Sequence, residues 1–279
     1  MAETVARHRI DRKEDLEQRA VIDRQNLSKI IQTLRSRPDL IDFSYTVSDS
    51  LFRTLSLVDP GCYRPETREA ARFSVQTAVA IYSMATAELE GQTDKIELKI
   101  GSEDIAVAAK LHAMADANHW LVAFWWSIIA RSSEATDMLA RYPLDRLRGP
   151  QSSDLLDWIQ ILCSAWLNGL PIATESVATN STNTQSTNDK LLESLINVLA
   201  ALAAADRAAF NRELMRALEL HRGYFDTDAN RGNMEGVVSI PLLGLACWAH
   251  DRGVPIDVES DYAPNFFIQN SDWAKALRR

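Results

Sequence analysis

Apolar residues recur at helical spacing along most of this chain. Residues three and four apart share one face of a helix, so the first stripe predicts an amphipathic helix that ends before Pro38. A second stripe, residues 40–58, is expected to stop at the turn 59–61. Pro65 suits the first position of a third helix, which is apolar on several faces to about Glu88 and is predicted to be central. The first stripe consists of Leu16, Ala20, Leu27, Ile30, Ile31 and Leu34.

One short stretch breaks the helical pattern. Residues 95–100 alternate strictly between polar and apolar, and the pair Gly101-Ser102 follows them. Strict alternation predicts a strand, which can pair with residues 104–107 to form a small β-hairpin near 95–107. A lone two-stranded hairpin is marginally stable in water, so we expect it to pack against the helices.

From Asp116 onward, the predicted helices come in pairs separated by short turns. Asp116 itself is predicted to cap the helix that follows it. Helix–turn–helix pairs build α-solenoids, tetratricopeptide-like arrays and irregular bundles, and the chain has no strict 34-residue repeat consensus that would select among them. The predicted fold class is therefore mostly α, with antiparallel helix pairs and one hairpin in a single helical domain over residues 1–270. Its parts are N-terminal helices over 12–90, the hairpin over 95–107, and helix pairs over 116–251.

Two segments depart from this helical pattern. Residues 174–188 are rich in Ser, Thr and Asn, cannot bury apolar surface, and are predicted to form a flexible loop. Residues 256–279 are predicted to form an acidic extended segment and tail. Within it, Asp257, Glu259 and Asp261 alternate with less polar residues, so a strand would place the three carboxylates on one face.

The row of carboxylates has three interpretations, which the sequence leaves open. Charges on an edge strand prevent edge-to-edge aggregation. The same charges can contact a basic partner, because complementary fields speed encounter. A cation site is the third interpretation, although hard cations usually take more oxygen ligands than three carboxylates supply.

Composition narrows the classes of partner. The 279 residues are 46% hydrophobic and 24% charged, which is ordinary for a soluble globular protein. The formal net charge of −8 argues against binding to nucleic acid or to an anionic membrane surface, and it suits a basic partner. The acidic character is concentrated in residues 226–261, which hold seven acids against two arginines.

The cysteines and the apolar runs indicate a cytoplasmic protein. The three cysteines are far apart, form no C-x-x-C pair, and are expected to be buried free thiols in a reducing compartment. The first residues are polar and charged, so no secretory signal is predicted. The longest apolar run, residues 240–249, is far shorter than a membrane-spanning helix requires.

Candidates for catalysis or ligand binding are weak. Cys247 and His250 lie three residues apart on one predicted helix and could form a nucleophile and its base, but no third member is evident. His112, Asp116 and His119 lack the spacing of a metalloprotease zinc site. The aromatic residues of the helix after Asp116 are more typical of core than of a ligand pocket. We predict no enzyme activity and no cofactor.

Four segments of the chain carry a resemblance to a known family. They are Asp116 to Trp125; Arg131 with Pro143 to Arg148; Ala217 to Phe225; and Leu242 to Pro264. In this order and spacing they resemble the Immunity 49 family of bacterial polymorphic-toxin systems. The resemblance covers roughly residues 65 to 270, and the Ser/Thr/Asn-rich loop looks like an insertion. It implies an all-helical immunity protein that neutralises a toxin by binding it.

The leading functional hypothesis is an antitoxin that occludes the active site of a cytosol-acting toxin. Its partner is expected to be a basic nuclease or nucleotide-modifying enzyme, since proteins that bind nucleic acid are usually basic. The alternative is a helical scaffold or regulator with a non-toxin partner. The family resemblance supplies no contact residues, so the prediction rests on charge. The predicted contacts are Asp251, Arg252, Asp257, Glu259 and Asp261.

Overall fold

The structure is a computed structural model that describes residues 3–10, 15–170 and 187–275, without the side chains of 187–189. The mostly α fold class is confirmed. The chain divides into two compact units. The N-terminal unit comprises residues 14–152 and 272–279, and the C-terminal unit comprises residues 1–13 and 153–271. The single domain predicted over 1–270 stays a prediction.

The helices of the N-terminal unit begin and end close to the predicted positions. Asp116 caps its helix as expected, because its carboxylate accepts the N–H groups of Asn118 and His119 at 2.9 and 3.0 Å. The third helix is buried along most of its length and is central, as its apolar faces predict. The five helices are α1 Leu16–Leu34, α2 Ile41–Val58, α3 Pro65–Leu89, α4 Ala117–Ile129 and α5 Ser133–Ala140.

A buried carboxylate holds the turn between α2 and α3. Asp59 is 9% exposed, and its oxygens accept the N–H groups of Tyr63 and Arg64 at 3.1 and 2.8 Å. The hydroxyl of Thr67 donates to the same carboxylate at 2.8 Å. One carboxylate therefore accepts two backbone N–H groups just before α3 and a hydroxyl in its first turn. Such an acceptor suits this place, because the first N–H groups of a helix have no intrahelical acceptor.

The predicted hairpin is present as β2, Lys95–Ile100, and β3, Glu103–Ala108. The strands are antiparallel, and Ile100 pairs with Glu103 across the two-residue turn. Gly101 has a φ of +65°, and a Cβ there would lie 2.7 Å from the Phe73 ring, so this position needs glycine. Leu98, Ile100, Ile105 and Val107 of the hairpin are buried, which supplies the packing that a lone hairpin lacks.

Aromatic rings of α4 fill the core of the N-terminal unit. Trp120, Phe124, Trp125 and Trp126 are each at most 1% exposed. The Trp120 indole N–H donates to the carbonyl of Leu139 at 3.0 Å, and its ring stacks on Phe124 with centroids 4.9 Å apart. These rings are packed against one another and their neighbours, as the core interpretation predicts.

The C-terminal unit combines helices with two short strands. The elements are β1 Glu3–Val5, α6 Ser153–Leu167, α7 Thr187–Ala203, α8 Arg207–Phe225, α9 Ile240–Asp251, β4 Val258–Ser260 and α10 Asn265–Gln269. Asp206 caps α8 by accepting the Ala209 N–H at 2.9 Å. The loop predicted over 174–188 lies outside the described residues, apart from residues 187 and 188, which belong to α7.

Strand β1 pairs with β4 in parallel, which the sequence analysis did not anticipate. The register places Thr4 beside Glu259 and Val5 beside Ser260. The Ser260 hydroxyl adds a bond to the Val5 carbonyl at 2.8 Å. Within the described part of the predicted extended segment, residues 258–260 form a strand and residues 265–269 form α10.

None of the helices in the described part of the chain combines the length and the apolarity needed to cross a bilayer. All three cysteines are free thiols, as predicted. Cys62 and Cys247 are buried, and Cys163 is half-buried. Burial raises the pKa of the Cys163 thiol to about 12, so this side chain is a neutral thiol at physiological pH.

Candidate partner-binding surface

The carboxyl end of α9 is fixed by a glycine turn. Gly253 has a φ of +79° and follows the last helical residues directly. Its N–H donates to the carbonyl of His250 at 2.9 Å, and the next N–H, of Val254, donates to Ala249 at 3.0 Å. This is a Schellman ending, in which glycine takes the left-handed conformation. Gly253 therefore ends α9.

The first two predicted contact residues lie at this helix end. Asp251 and Arg252 are both exposed. The Asp251 carboxylate is 3.5 Å from the imidazole of His250, and the Arg252 guanidinium lies 5.8 Å from the ring centre of Trp248. A cation over an indole face is attracted by the ring's quadrupole. The guanidinium therefore has an attractive contact that favours one position for it.

Strand β4 and the residues directly before and after it carry the other predicted contacts. Val258 is buried, whereas Asp257 and Glu259 on either side of it are exposed, as the alternation of a strand requires. Asp261, just beyond the strand, is half-buried. The valine anchors the strand to the C-terminal unit, and the carboxylates of Asp257 and Glu259 face outward.

Arg207, at the start of α8, pairs with Asp257. Its Nη2 lies 2.8 Å from Oδ1 and its Nε lies 3.1 Å from Oδ2, a bidentate arrangement. The hydrogen bonds from this guanidinium lower the pKa of Asp257, and the same contact raises the pKa of Arg207. Asn211 strengthens the junction, since its side chain accepts the Asp257 N–H at 2.7 Å and donates to the carbonyl of Pro255 at 3.0 Å.

The segment after β1 brings another arginine to the acidic stretch. Arg7 donates to the backbone carbonyl of Asp261 at 2.7 Å. The hydroxyl of Tyr262 accepts the His8 N–H at 2.7 Å and lies 2.8 Å from its imidazole Nδ1. Burial lowers the pKa of His8, which favours a neutral ring stacked between Tyr262 and Phe225. Tertiary contacts thus place two arginines, Arg207 and Arg7, beside residues 257–261, whose charged side chains are all acidic in sequence.

Sequence analysis missed these two arginines because both are remote along the chain. Arg207 precedes Asp257 by 50 residues, and Arg7 precedes Asp261 by 254. Neither has a local motif that marks it as a partner of β4. The segment 3–5, Glu-Thr-Val, is too short to predict a strand.

The weak chemical candidates occupy structural positions. The Cys247 thiol is buried and lies 3.5 Å from the carbonyl of Phe267, while His250 contacts Asp251. Asp116 caps α4 and lies 2.9 Å from the Nδ1 of His119. Burial also lowers the pKa of His112, whose side chain is enclosed. In the part of the chain that the structure describes, no group of three His, Cys, Asp or Glu side chains is arranged to hold a metal ion.

The exposed charges described above lie beside strand β4 and at the carboxyl end of α9. Exposed charges held on regular elements of a helical protein are typical of a surface that contacts another protein. The chain belongs to the Immunity protein 49 family, whose model matches residues 59–267. The match begins at the turn before α3 and ends within α10, so α1, α2 and β1 lie outside it. Membership of an immunity family implies a toxin as partner. No curated protein and no solved structure matches the chain.

Proposed function

We propose that this protein is a cytoplasmic antitoxin that binds its cognate bacterial toxin and neutralises it by covering the toxin's active site. Family membership is the observation that carries the proposal, because the match spans residues 59–267, most of the chain. An inhibitor that acts by binding needs a rigid surface rather than a catalytic group. The three free thiols suit a reducing compartment, which supports the cytoplasm as the place of action.

Charge supports a basic toxin. The net charge of −8 gives the protein a field that attracts cationic proteins over distances comparable to the Debye length, about 8 Å at physiological salt. Enzymes that act on nucleic acid carry basic surfaces that bind phosphate. A nuclease or a nucleotide-modifying enzyme that acts in the cytosol is therefore the class of toxin that we propose.

The proposed contact surface comprises Asp251, Arg252, Asp257, Glu259 and Asp261. Glu259 is the centre of this surface, because it is exposed on β4 between Asp257 and Asp261. Arg207 donates to the carboxylate of Asp257, and Arg7 donates to the backbone carbonyl of Asp261. Asp257 and Arg207 form a fixed pair that presents both signs of charge, so it can orient a partner as well as attract it.

Co-expression with the neighbouring open reading frame tests the proposal. We expect that reading frame alone to be toxic to a bacterial host, and co-expression of this protein to restore growth. The two proteins are also expected to co-purify, since neutralisation is by binding. A toxic neighbour that is neither rescued nor bound would contradict the proposal and would favour a scaffold or regulator with another partner.

Removing three charges from the contact surface is expected to slow association with the toxin. The variant Asp257→Asn, Glu259→Gln, Asp261→Asn changes the net charge from −8 to −5, since three acids each lose one charge. Electrostatic steering of this kind changes association rates by about tenfold or more, and its loss flattens their salt dependence. Stopped-flow mixing at several salt concentrations measures both effects.

A control triple separates local contact from net charge. Glu17, Glu66 and Glu69 are exposed acids of the N-terminal unit, and Glu17→Gln, Glu66→Gln, Glu69→Gln has the same net charge of −5, again three charges fewer than −8. We expect this control to change the association rate much less. Equal effects of the two triples would mean that β4 is not the interface.

A further inference from the structure

A groove of about 420 Å³ runs along the hairpin of the N-terminal unit, remote in sequence from the acidic strand. Residues of α3, β2 and α5 line it, and no residue of β3 is among them. Its lining combines apolar side chains, among them Val75, Val79, Leu98 and Met138, with polar and charged ones. One side of the groove is therefore formed by a strand that has β3 on its other side.

Strand β2 turns hydrogen-bonding groups away from β3. Ile100 and Glu103 close a two-residue turn, so they must be a hydrogen-bonded pair, and such pairs alternate along an antiparallel ladder. Glu97 is opposite Ala106 at a non-hydrogen-bonded position, and its N–H and C=O point to the outer edge. In the described part of the chain, β3 is the only strand beside β2.

The opposite edge of the hairpin is contacted at one position. Arg35, which directly follows α1, donates to the backbone carbonyl of Asp104 at 3.4 Å and to the carboxylate of Glu103 at 3.1 Å. Asp104 occupies a non-hydrogen-bonded position of β3, so this carbonyl is one that faces outward. The edge of β3 thus has an arginine bonded to it, whereas the edge of β2 opens on a groove.

We propose that an extended segment of the toxin adds to β2 as a third strand and lies in this groove; this inference rests on the proposed function. Strand addition uses main-chain hydrogen bonds for affinity and alternate side-chain pockets for specificity. An added strand lies about 4.8 Å from its neighbour, and alternate side chains point to one face. Apolar side chains of the segment then pack on Val79 of α3 and Met138 of α5.

Charge excludes a second copy of this chain as the preferred occupant. If β2 paired with another β2 about Glu97, each Glu97 would face its counterpart and Lys95 would face Lys99 of the other copy. Like charges directly opposite each other destabilise a strand pair, and lysines on an edge oppose self-association. Glu97 and Glu134 outnumber Lys99 among the charged residues that line the groove, and this excess of one negative charge favours a cationic side chain in the segment, which a basic toxin supplies.

The variant Glu97→Pro tests strand addition. Proline removes the outward N–H of Glu97 without breaking the β2–β3 ladder, since that N–H takes no part in it. Ala106→Pro is the matched control. It makes the same change at the residue directly opposite Glu97, on the outer edge of β3. We expect Glu97→Pro to weaken toxin binding by about tenfold or more and Ala106→Pro to leave it near the wild-type value.

A second variant and a second measurement complete the test. Ala135→Trp fills the groove from α5 without altering β2, and it is expected to weaken binding as well. Hydrogen exchange should show the Glu97 amide fast in the free protein and protected in the complex, with Leu98 protected in both. If wild type binds the toxin and all three variants bind equally well, with Glu97 still unprotected, strand addition is wrong. If wild type does not bind the toxin, the proposed function itself fails.

Discussion

Replacing Trp120 by alanine is expected to lower the free energy of unfolding by about 3–5 kcal/mol. Its side chain is fully buried, stacks on Phe124 with centroids 4.9 Å apart, and donates to the carbonyl of Leu139 at 3.0 Å. The substitution leaves a cavity where an indole was and removes one of the hydrogen bonds that the Leu139 carbonyl accepts, while the Tyr142 N–H still donates to that carbonyl at 3.1 Å. Both losses act in the same direction, because the cavity lining loses packing contacts and the lost hydrogen bond is not replaced in a buried site.

Urea titration followed by far-UV circular dichroism measures this loss. Trp120→Phe is the matched control, since it keeps an aromatic ring against Phe124 and gives up only the hydrogen bond and part of the volume. We expect its loss of unfolding free energy to lie between zero and that of the alanine variant. Equal stabilities of wild type and Trp120→Ala would mean that α4 does not pack as the structure places it.

Replacing Asp59 by alanine is expected to lower the free energy of unfolding by about 2–4 kcal/mol. Three donors depend on this carboxylate: the N–H groups of Tyr63 and Arg64 and the hydroxyl of Thr67. Because the site is buried, water replaces the lost acceptor poorly, and the turn from α2 to α3 loses the group that holds it. Thermal and urea denaturation of the variant give the change directly.

Asp59→Asn distinguishes the hydrogen bonds from the shape of the side chain. Asparagine keeps the size and one acceptor oxygen, but it places an NH₂ group where the carboxylate accepted a bond. We expect its stability to fall between those of wild type and alanine. An asparagine variant less stable than the alanine variant would contradict this order and would indicate a clash between like donors at the turn.

Local sequence signals predicted most of the helical framework. Pro65 begins α3, Asp116 caps α4, and Gly253 ends α9, each for a reason contained in a few neighbouring residues. The 95–107 hairpin was predicted in the same way, from strict alternation followed by Gly-Ser. Proline geometry, side-chain caps and glycine's left-handed conformation act within one turn of chain, so they can be read without knowing the fold.

The candidate surface was predicted less completely. Asp257 and Glu259 are exposed on a strand anchored by Val258, as alternation indicates. The pairing of β4 with β1 and the ion pair with Arg207 were not foreseen, and the charge of the surface depends on both. The open edge of β2 was also not predicted, because the sequence of a hairpin does not determine which of its edges other parts of the chain will contact.

The sequence by itself determined most of the helix boundaries, the hairpin, the net negative charge and the resemblance to an immunity family, because each depends on residue identity or on near neighbours. Only the tertiary structure decided that Arg207 pairs with Asp257 beside β4, that residues 3–5 complete the sheet of β4, and that Arg35 contacts one edge of the hairpin. Those contacts join residues 50 or more apart, and packing of whole elements brings them together.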